Sequence, residues 1–353
     1  MSDKQVAMVM DLNKCIGCQT CTVACKRLWT RREGMRHQWW NTVNSQPGTG
    51  TPHDWENMGG GFKDGIAQPG HRPSVDEYGK AWEFNYEEVF HGGKNYTPLT
   101  PIDGDAGKGP NWDEDIGAGD YPNGYYFYLP RICNHCTKPA CMAACPRKAI
   151  DKRENDGIVL INEDRCRGYR FCQEACPYKK IYYNETLGIS QKCIFCFPRI
   201  DEGVTTACSR QCPGRVRFVG YLDDQDGPIY KLVHEHKIAL PLHPEYGTQP
   251  NVFYVPPMSP PTLDENGIAT DKPRIPMEYL VSLFGSEVEG VLDRLHKERD
   301  RVARGEKSEM LDLLISRKWI EMFGPFGNHP REVGGNPVQM VTPGSITDKG
   351  GVA

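Results

Sequence analysis

Cysteine is the residue type whose spacing points to chemistry in this chain. The sequence has 15 cysteines, which form four groups, three with four members and one with three. Three closely spaced thiolates and a more distant one are the ligation pattern of cubane iron-sulfur clusters, because one loop caps a face of the cluster while the remaining cysteine reaches a neighbouring one. The spacing predicts three [4Fe-4S] clusters and one [3Fe-4S] cluster, with no cysteine unused. The groups are Cys15, Cys18, Cys21, Cys25; Cys133, Cys136, Cys141, Cys145; Cys166, Cys172, Cys176; and Cys193, Cys196, Cys208, Cys212.

The group of three has Tyr169 where its second cysteine would stand. The segments DLNKCIGC and NEDRCRGY align as an internal repeat, which puts Tyr169 over Cys18. A phenol is a poor replacement for a thiolate, and an iron atom without a protein ligand is readily lost. We therefore expect the three-iron cluster here, with Tyr169 as a non-ligand; the alternative is a four-iron cluster completed by water or hydroxide. A changed cluster type would set the potential of this site apart from the others.

Disulfides and zinc fit the cysteines less well. Disulfide frameworks are typical of short secreted chains, whereas this chain has 353 residues and an odd cysteine count. Structural zinc needs four ligands in paired C-x2-C knuckles. The last group alone could pass for such a site, while the dense first group could not easily surround one tetrahedral ion.

The second and third groups lie as close together as in a two-cluster bacterial ferredoxin. In such a protein the fourth cysteine of each group binds the other cluster. We therefore expect crossed ligand sets for these two groups and, by elimination, for the first and last groups. The predicted sets are Cys133, Cys136, Cys141 with Cys176; Cys145 with Cys166 and Cys172, the three-iron set; Cys15, Cys18, Cys21 with Cys212; and Cys25 with Cys193, Cys196, Cys208.

Short apolar segments must position these loops. Residues 6–12 and 158–161 lead directly into the repeated motifs, and residues 125–129 and 188–191 are further predicted strands. The repeat indicates an α+β fold of duplicated bacterial-ferredoxin-like, two-cluster units with long loop insertions. We assign residues 1–30 and 185–225 to the first ferredoxin-like half and residues 125–184 to the second.

Two segments lie outside the halves. Residues 26–124 are rich in Gly and Pro but hold six of the 7 tryptophans, so we expect an ordered insertion that packs on the core or, as we favour, on a partner subunit. Residues 226–353 are predicted to form an extended wrapping segment with helices near 286–304 and 308–322.

Composition excludes several classes of function. The mean hydropathy is −0.59 and the net charge is −4 with both signs mixed, so no nucleic-acid surface is indicated. No long apolar run predicts a membrane span, and the N-terminal residues do not resemble an export signal. Because no nucleophile elbow, phosphate loop or dinucleotide fingerprint is present, we expect no active site in this chain.

The motifs resemble those of one protein family. The four-group arrangement with an aromatic residue for one cysteine, together with KCIFCFPRIDEG and LPLHPEYGTQPNVFYVPPMSP, is similar to the beta subunit of respiratory nitrate reductase and its relatives. In nitrate reductase the aromatic residue is tryptophan, whereas here it is Tyr169. The segments DLNKCIGCQTC and MGGGF look closer to the beta subunits of dimethylsulfide dehydrogenase, chlorate and selenate reductases, and ethylbenzene dehydrogenase, and length favours the last.

The resemblance implies an electron-transfer subunit of a heterotrimer. Its partners would be a catalytic alpha subunit, which carries a molybdenum bis-pterin guanine dinucleotide and its own [4Fe-4S] cluster, and a gamma subunit with haem b. The predicted complex is a hydrocarbon hydroxylase such as ethylbenzene dehydrogenase. The alternatives are a nitrate, chlorate or selenate reductase or a dimethylsulfide dehydrogenase, and, from another class, a free-standing polyferredoxin.

The same resemblance predicts the compartment. In that family the beta subunit has no signal of its own and is exported folded with the catalytic subunit. We therefore expect a periplasmic protein, with a cytoplasmic complex as the alternative.

Overall fold

The computed structural model describes residues 4–78 and 117–328 and shows a mixed helix and sheet architecture. This agrees with the predicted α+β class. The strands are β1 Val6–Asp11, β2 Thr42–Gln46, β3 Phe62–Lys63, β4 Ile66–Ala67, β5 Phe127–Arg131, β6 Ile150–Lys152, β7 Val159–Ile161, β8 Ile181–Asn184, β9 Ile189–Lys192, β10 Arg217–Tyr221, β11 Leu240–Pro241, β12 Val252–Val255, β13 Pro261–Leu263 and β14 Ala269–Pro273.

A four-stranded sheet in the order β10-β1-β12-β11 forms the centre of the fold. Strand β1 runs antiparallel to β10 and parallel to β12, so that Val9 faces both Phe218 and Phe253. Every residue of β1 is buried, which explains its almost continuous apolar sequence VAMVMD. Since β1 precedes the first cysteine group and β10 follows the last, this sheet brings the two groups together although they are far apart in sequence.

The remaining strands form two-stranded ribbons. The pairs are β2 with β5, β3 with β4, β6 with β7, β8 with β9, and β13 with β14. The strand predicted at 125–129 is observed two residues later, because β5 pairs with β2 in the register Thr42↔Arg131 to Gln46↔Phe127. Strand β2 (TVNSQ) was not predicted, since its buried polar residues show no apolar alternation.

The helices are short around the cysteines and longer in the C-terminal segment. They are α1 Thr20–Trp29, α2 Ala140–Ala143, α3 Phe171–Ala175, α4 Phe197–Ile200, α5 Ala207–Arg210, α6 Pro228–Tyr230 with a π-helical turn at Lys231–Glu235, α7 Met277–Phe284, α8 Val288–Ala303 and α9 Glu309–Ile315, and 3-10 turns occur at Leu12–Lys14, Trp55–Asn57, Asp76–Tyr78, Pro244–Tyr246 and Trp319–Phe326.

The C-terminal helices differ from the prediction in their ends. Helix α8 matches the segment 286–304, although Glu287 occupies its N-cap position and no side chain caps it. Helix α9 is shorter than the predicted 308–322, because Ser316 has a left-handed φ of 52° that ends the helix. The 3-10 segment that follows contains Pro325. Helix α7 was not predicted.

The insertion contributes to the core of this chain. Trp39, Trp40 and Trp55 are 1%, 5% and 0% exposed. These three side chains therefore pack within the subunit and are not free to face a partner. Trp82 and Trp112 lie outside the described residues, and the predicted interface role of the whole segment 26–124 stays a prediction.

Candidate metal centres

The thiols of the described residues surround pockets and do not converge on single points. Within residues 4–78 and 117–328, no group of three or more His, Cys, Asp or Glu side chains is spaced to hold one metal ion. Three pockets each have four cysteines in their walls, and their empty volumes are about 340, 330 and 390 Å³. The first pocket contains Cys15, Cys18, Cys21 and Cys212; the second contains Cys25, Cys193, Cys196 and Cys208; and the third contains Cys133, Cys136, Cys141 and Cys176.

Each pocket combines cysteines from two separate groups of the sequence. Cys212 joins the first group, Cys25 joins the last group, and Cys176 joins the second group. These are the groupings that the ferredoxin pattern predicts, although the identity of the bound group stays a prediction.

A repeated loop shape presents the cysteines. Gly17 and Gly168 have φ values of 67° and 66°, and the next residue but one, Gln19 or Arg170, also lies in the left-handed region. The two aligned segments DLNKCIGC and NEDRCRGY therefore share a backbone turn as well as a sequence pattern. At Gly17 a Cβ atom would lie 2.5 Å from the Tyr128 ring, so the turn needs glycine for space as well as for φ.

The three remaining cysteines form a fourth site beside the third pocket. Cys145, Cys166 and Cys172 pack, together with Cys141 and Cys176 of the third pocket, in a small apolar cluster that includes Ile150, Val159, Ile161 and Ile181. The Ala149 amide donates to Cys145 Sγ over 3.3 Å. The backbone amide of Ser190 donates to Cys166 Sγ over 3.4 Å, while its hydroxyl lies 3.5 Å from Cys172 Sγ.

Tyr169 lies on the surface at this fourth site. Its side chain is 54% exposed and stacks on Phe171, with 6.4 Å between the ring centroids. Cys18, its counterpart in the repeat, is also exposed but lines the first pocket. Exposure alone therefore does not separate Tyr169 from a ligand, and its role as a non-ligand stays a prediction.

Burial controls the ionisation of these thiols. It raises the pKa of Cys15 and Cys172 to about 12 and that of Cys196 to about 11, and it raises the pKa of Cys25 well above the usual range. A buried thiol without a metal partner therefore stays protonated near neutral pH. Iron supplies the positive charge that holds a coordinating thiol as thiolate.

Hydrogen-bond donors are directed at the sulfurs. Trp29 Nε1 donates to Cys196 Sγ over 3.0 Å, and Asn41 Nδ2 donates to Cys21 Sγ over 3.3 Å. Backbone amides of Phe195 and Val216 lie 3.4 and 3.5 Å from the sulfurs of Cys193 and Cys212. Four thiols, a mainly apolar wall and N–H donors to sulfur together fit an iron-sulfur cluster.

His135 lines the third pocket without belonging to its thiol set. Its Nδ1 accepts a hydrogen bond from the Val159 amide over 3.1 Å, which places the ring proton on Nε2. Burial, with Lys192 and Lys152 as further causes, lowers its pKa well below the usual range. The imidazole is therefore neutral, and its ring contacts Phe195 of the second pocket at 5.1 Å between centroids.

The pockets follow one another in space. Arg217 lines the first pocket and has Cys208 of the second among its electrostatic neighbours. Cys193 of the second pocket has Cys133 of the third among its neighbours. Cys172 of the fourth site is in turn a neighbour of Cys176. The order is first, second, third, fourth, with the three-cysteine site at one end.

Several residues that contact the sulfurs were not predicted from the sequence. Sequence analysis did not identify Arg217, Asn41 or Trp29 as contacts of the thiols. For Arg217 a signal was available, because a basic residue stands at the start of the apolar strand RFVGY. The first four residues of this strand are buried. Asn41 and Trp29 carried no such signal, because their segment lacks a regular period and their contacts are made over long sequence distances.

Comparison with known proteins agrees with this geometry. The profile of the 4Fe-4S dicluster domain matches residues 124–222, which contain the second, third and last cysteine groups. The dimethylsulfide dehydrogenase subunit beta of Rhodovulum sulfidophilum is 52% identical over 324 residues, which cover 92% of this chain and 99% of that protein. The respiratory nitrate reductase subunit beta of Haloferax mediterranei is 59% identical over 321 residues, covering 88% and 91%.

A third relative is a subunit of an enzyme named for selenate. The selenate reductase subunit beta of Thauera selenatis is 55% identical over 328 residues, which cover 92% of this chain and 100% of that protein. Identity at this level over nearly the whole of each protein leaves no doubt about common descent. The chain belongs to the family of iron-sulfur beta subunits of nitrate and selenate reductases and dimethylsulfide dehydrogenase.

Proposed function

We propose that this chain is an electron-transfer subunit with three [4Fe-4S] clusters, in the first, second and third pockets, and one [3Fe-4S] cluster at the fourth site. The main support is that each of the three pockets joins thiols from two separate groups of the sequence. Bound clusters would accept and release one electron at a time. The protein supplies the sulfur ligands, the hydrogen bonds to them and the apolar walls that limit access of water.

The linear order of the sites supports a relay between two partner proteins. At the first pocket, Cys18 is exposed and Ile16 is 67% exposed. At the other end, Tyr169 and Phe171 are 54% and 46% exposed beside the fourth site. We propose that the first pocket faces a molybdenum catalytic alpha subunit and that the fourth site faces a haem b gamma subunit. No helix within the described residues has both the length and the apolar character that a membrane span requires.

The complex that this subunit serves is proposed from its relatives. The three proteins named above act in nitrate or selenate reduction or in dimethylsulfide oxidation, to judge from their names. A chlorate reductase subunit beta from Ideonella dechloratans is also 54% identical. We therefore place the chain in a reductase or dimethylsulfide dehydrogenase of this kind, in preference to the ethylbenzene dehydrogenase that length favoured.

Purification of the native complex tests this proposal. We expect the chain to copurify with a molybdenum-containing subunit, and its iron and acid-labile sulfide to account for four clusters. Recovery as a lone soluble protein with full iron would favour the free-standing polyferredoxin. Zinc in place of iron would contradict the whole assignment.

The compartment is a separate proposal. We propose that the subunit is exported folded to the periplasm with its catalytic partner. Cell fractionation, with a cytoplasmic enzyme and a periplasmic enzyme as markers, distinguishes this location from the cytoplasmic alternative.

A further inference from the structure

Arg217 is a buried cation in the wall between the first and second pockets. Its side chain is 1% exposed and lines the first pocket beside Cys21 and Cys212. Cys208 of the second pocket is also among its electrostatic neighbours. A charge in such surroundings is unfavourable unless opposite charge lies nearby. The source of that opposite charge is therefore informative.

Among residues 4–78 and 117–328, no carboxylate is a hydrogen-bond partner of Arg217. Its Nη2 donates to Asn41 Oδ1 over 2.7 Å and to Cys21 Sγ over 3.4 Å, and its Nη1 lies 3.9 Å from Met8 Sδ. Among the described residues these partners are an amide, a thiol and a thioether. Burial by itself lowers the pKa of Arg217, but the thiolates of Cys21, Cys208, Cys212 and Cys15 raise it above its usual range. Protonated thiols carry no charge, so the compensating charge would come from thiolates that hold a cluster in the first and second pockets.

Asn41 holds the guanidinium in this position. Besides accepting from Arg217, it donates through Nδ2 to Cys21 Sγ over 3.3 Å and to Thr22 Oγ1 over 3.0 Å. Asn41 also lines the second pocket. The side-chain amide of Asn41, which orients Arg217, therefore lies between the two pockets. Asn41 is 1% exposed.

We propose that Arg217 is a positioning residue that raises the reduction potentials of the clusters in the first and second pockets together, with Asn41 fixing its place between them. The proposal rests on the proposed function, because it requires clusters in both pockets. When either cluster accepts an electron, it gains one negative charge, and a fixed positive charge in a low-dielectric wall stabilises that reduced form. Because one cation acts on both neighbours, it shifts both potentials in the same direction.

The third and fourth sites provide the internal comparison. The thiols that act electrostatically on Arg217 belong to the first two pockets. They are those of Cys15, Cys21, Cys208 and Cys212. The third pocket has two buried lysine side chains of its own in its wall, Lys180 and Lys192. A change at Arg217 should consequently affect two of the four clusters and leave the other two near their wild-type potentials.

The test compares Arg217→Lys with Arg217→Met in the complete purified complex. Lys and Met have similar length and differ in charge, so the pair separates loss of charge from loss of shape. Potentiometric titration followed by EPR measures each cluster. For Arg217→Met we expect the reduced-to-oxidised ratio of the first and second clusters at a fixed potential to fall at least tenfold, which is about 59 mV for a one-electron couple. Arg217→Lys should stay much closer to wild type.

Several results would overturn the proposal. These are unchanged potentials in Arg217→Met, an equal shift of all four clusters, or equal shifts in the Lys and Met variants. If Arg217→Met does not assemble, Arg217→Gln gives a second test, since a side-chain amide removes the charge but keeps hydrogen-bond donors. That variant should lower the same two potentials, and a variant complex with both potentials unchanged would also refute the proposal.

The cluster content separates this proposal from the proposed function. Iron analysis and EPR of the wild-type complex come first. Absence of clusters from the first two pockets would refute the proposed function itself. Clusters present in wild type and variant, with the same potentials, would refute only the role of Arg217.

Discussion

Cys21 and Cys25 lie one turn apart in helix α1, yet their thiols line different pockets, Cys21 the first and Cys25 the second. One short helix therefore supplies thiols to two neighbouring pockets. This arrangement sets the two sites at a fixed separation, because the helix is a rigid element with a rise of about 1.5 Å per residue.

Separate serine substitutions at these two positions should remove different clusters. Cys25→Ser should cause loss of the cluster of the second pocket with retention of the first, and Cys21→Ser should do the reverse, because a hydroxyl is a weaker ligand than a thiolate. Each variant should lose about four iron atoms per chain. Iron analysis and EPR of the purified complexes measure the losses. Loss of the same cluster in both variants would show that the two thiols share one site.

Trp29→Phe should lower the reduction potential of the cluster in the second pocket. The indole Nε1 donates to Cys196 Sγ over 3.0 Å, and a hydrogen bond to sulfur stabilises the reduced cluster. We expect a change of up to about tenfold in the reduced-to-oxidised ratio at fixed potential, about 59 mV. Potentiometric EPR checks the value.

Trp40→Phe is the matched control for this change. Trp40 lines the same pocket, but its Nε1 donates to Gln38 Oε1 over 3.2 Å and not to a sulfur. It should leave the potential of the second cluster close to that of the wild type. Equal shifts in the two variants would mean that packing, and not the hydrogen bond to Cys196, sets the potential.

Gly17→Ala should destabilise the first cysteine loop. Gly17 has a φ of 67°, and a Cβ atom there would lie 2.5 Å from the Tyr128 ring. We expect a cost of about 1–3 kcal/mol from the backbone conformation, with the clash added to it. Gly65→Ala is the control, since Gly65 has a φ of 78° but open space around its Cβ position. Thermal unfolding of the holo complexes should show the larger drop in Tm for Gly17→Ala. Equal drops would exclude a contribution from Tyr128.

Whether a feature of the site could be predicted depends on how far apart in the sequence its residues lie. The groups of cysteines that line the three pockets could be predicted from local spacing together with the ferredoxin pattern of crossed ligands. Their role as ligands stays a prediction. Arg217 and Asn41 were missed because their contacts with Cys21 span 196 and 20 residues of sequence. Such pairs carry no periodic signal.

The fold was predictable to a similar degree. Strand β1 was visible because it is apolar throughout, whereas β2 was not, since its residues Thr42 and Asn44 are polar and 0% and 1% exposed. The burial of individual tryptophans in residues 26–124 could not be predicted, because their segment shows no regular period. Trp40 and Trp55 belong to the main apolar core, while the interface role of the whole segment stays a prediction. Duplication of ferredoxin-like halves stays a prediction.

Removal of the clusters should unfold much of the subunit. Cys21, Cys25, Cys208 and Cys212 are part of the main apolar core, so loss of iron leaves unfilled space and unsupported loops at its centre. Oxidative cluster destruction with a chelator present should abolish the near-UV circular dichroism signal and lower the Tm strongly. Acidification should act in the same direction, because protons compete with iron for thiols whose pKa burial has raised. A cluster-free chain with the wild-type Tm would contradict this view.

The most direct test of the central claim is EPR spectroscopy of the oxidised complex, carried out on wild type, Tyr169→Cys and Tyr169→Phe. We expect an oxidised [3Fe-4S] signal of about one spin per chain in wild type and in Tyr169→Phe. In Tyr169→Cys a fourth thiolate becomes available, so this signal should disappear while the iron content rises by about one atom per chain. A wild-type complex without the signal, or a signal that persists unchanged in Tyr169→Cys, would contradict the assignment of a three-iron cluster to the fourth site.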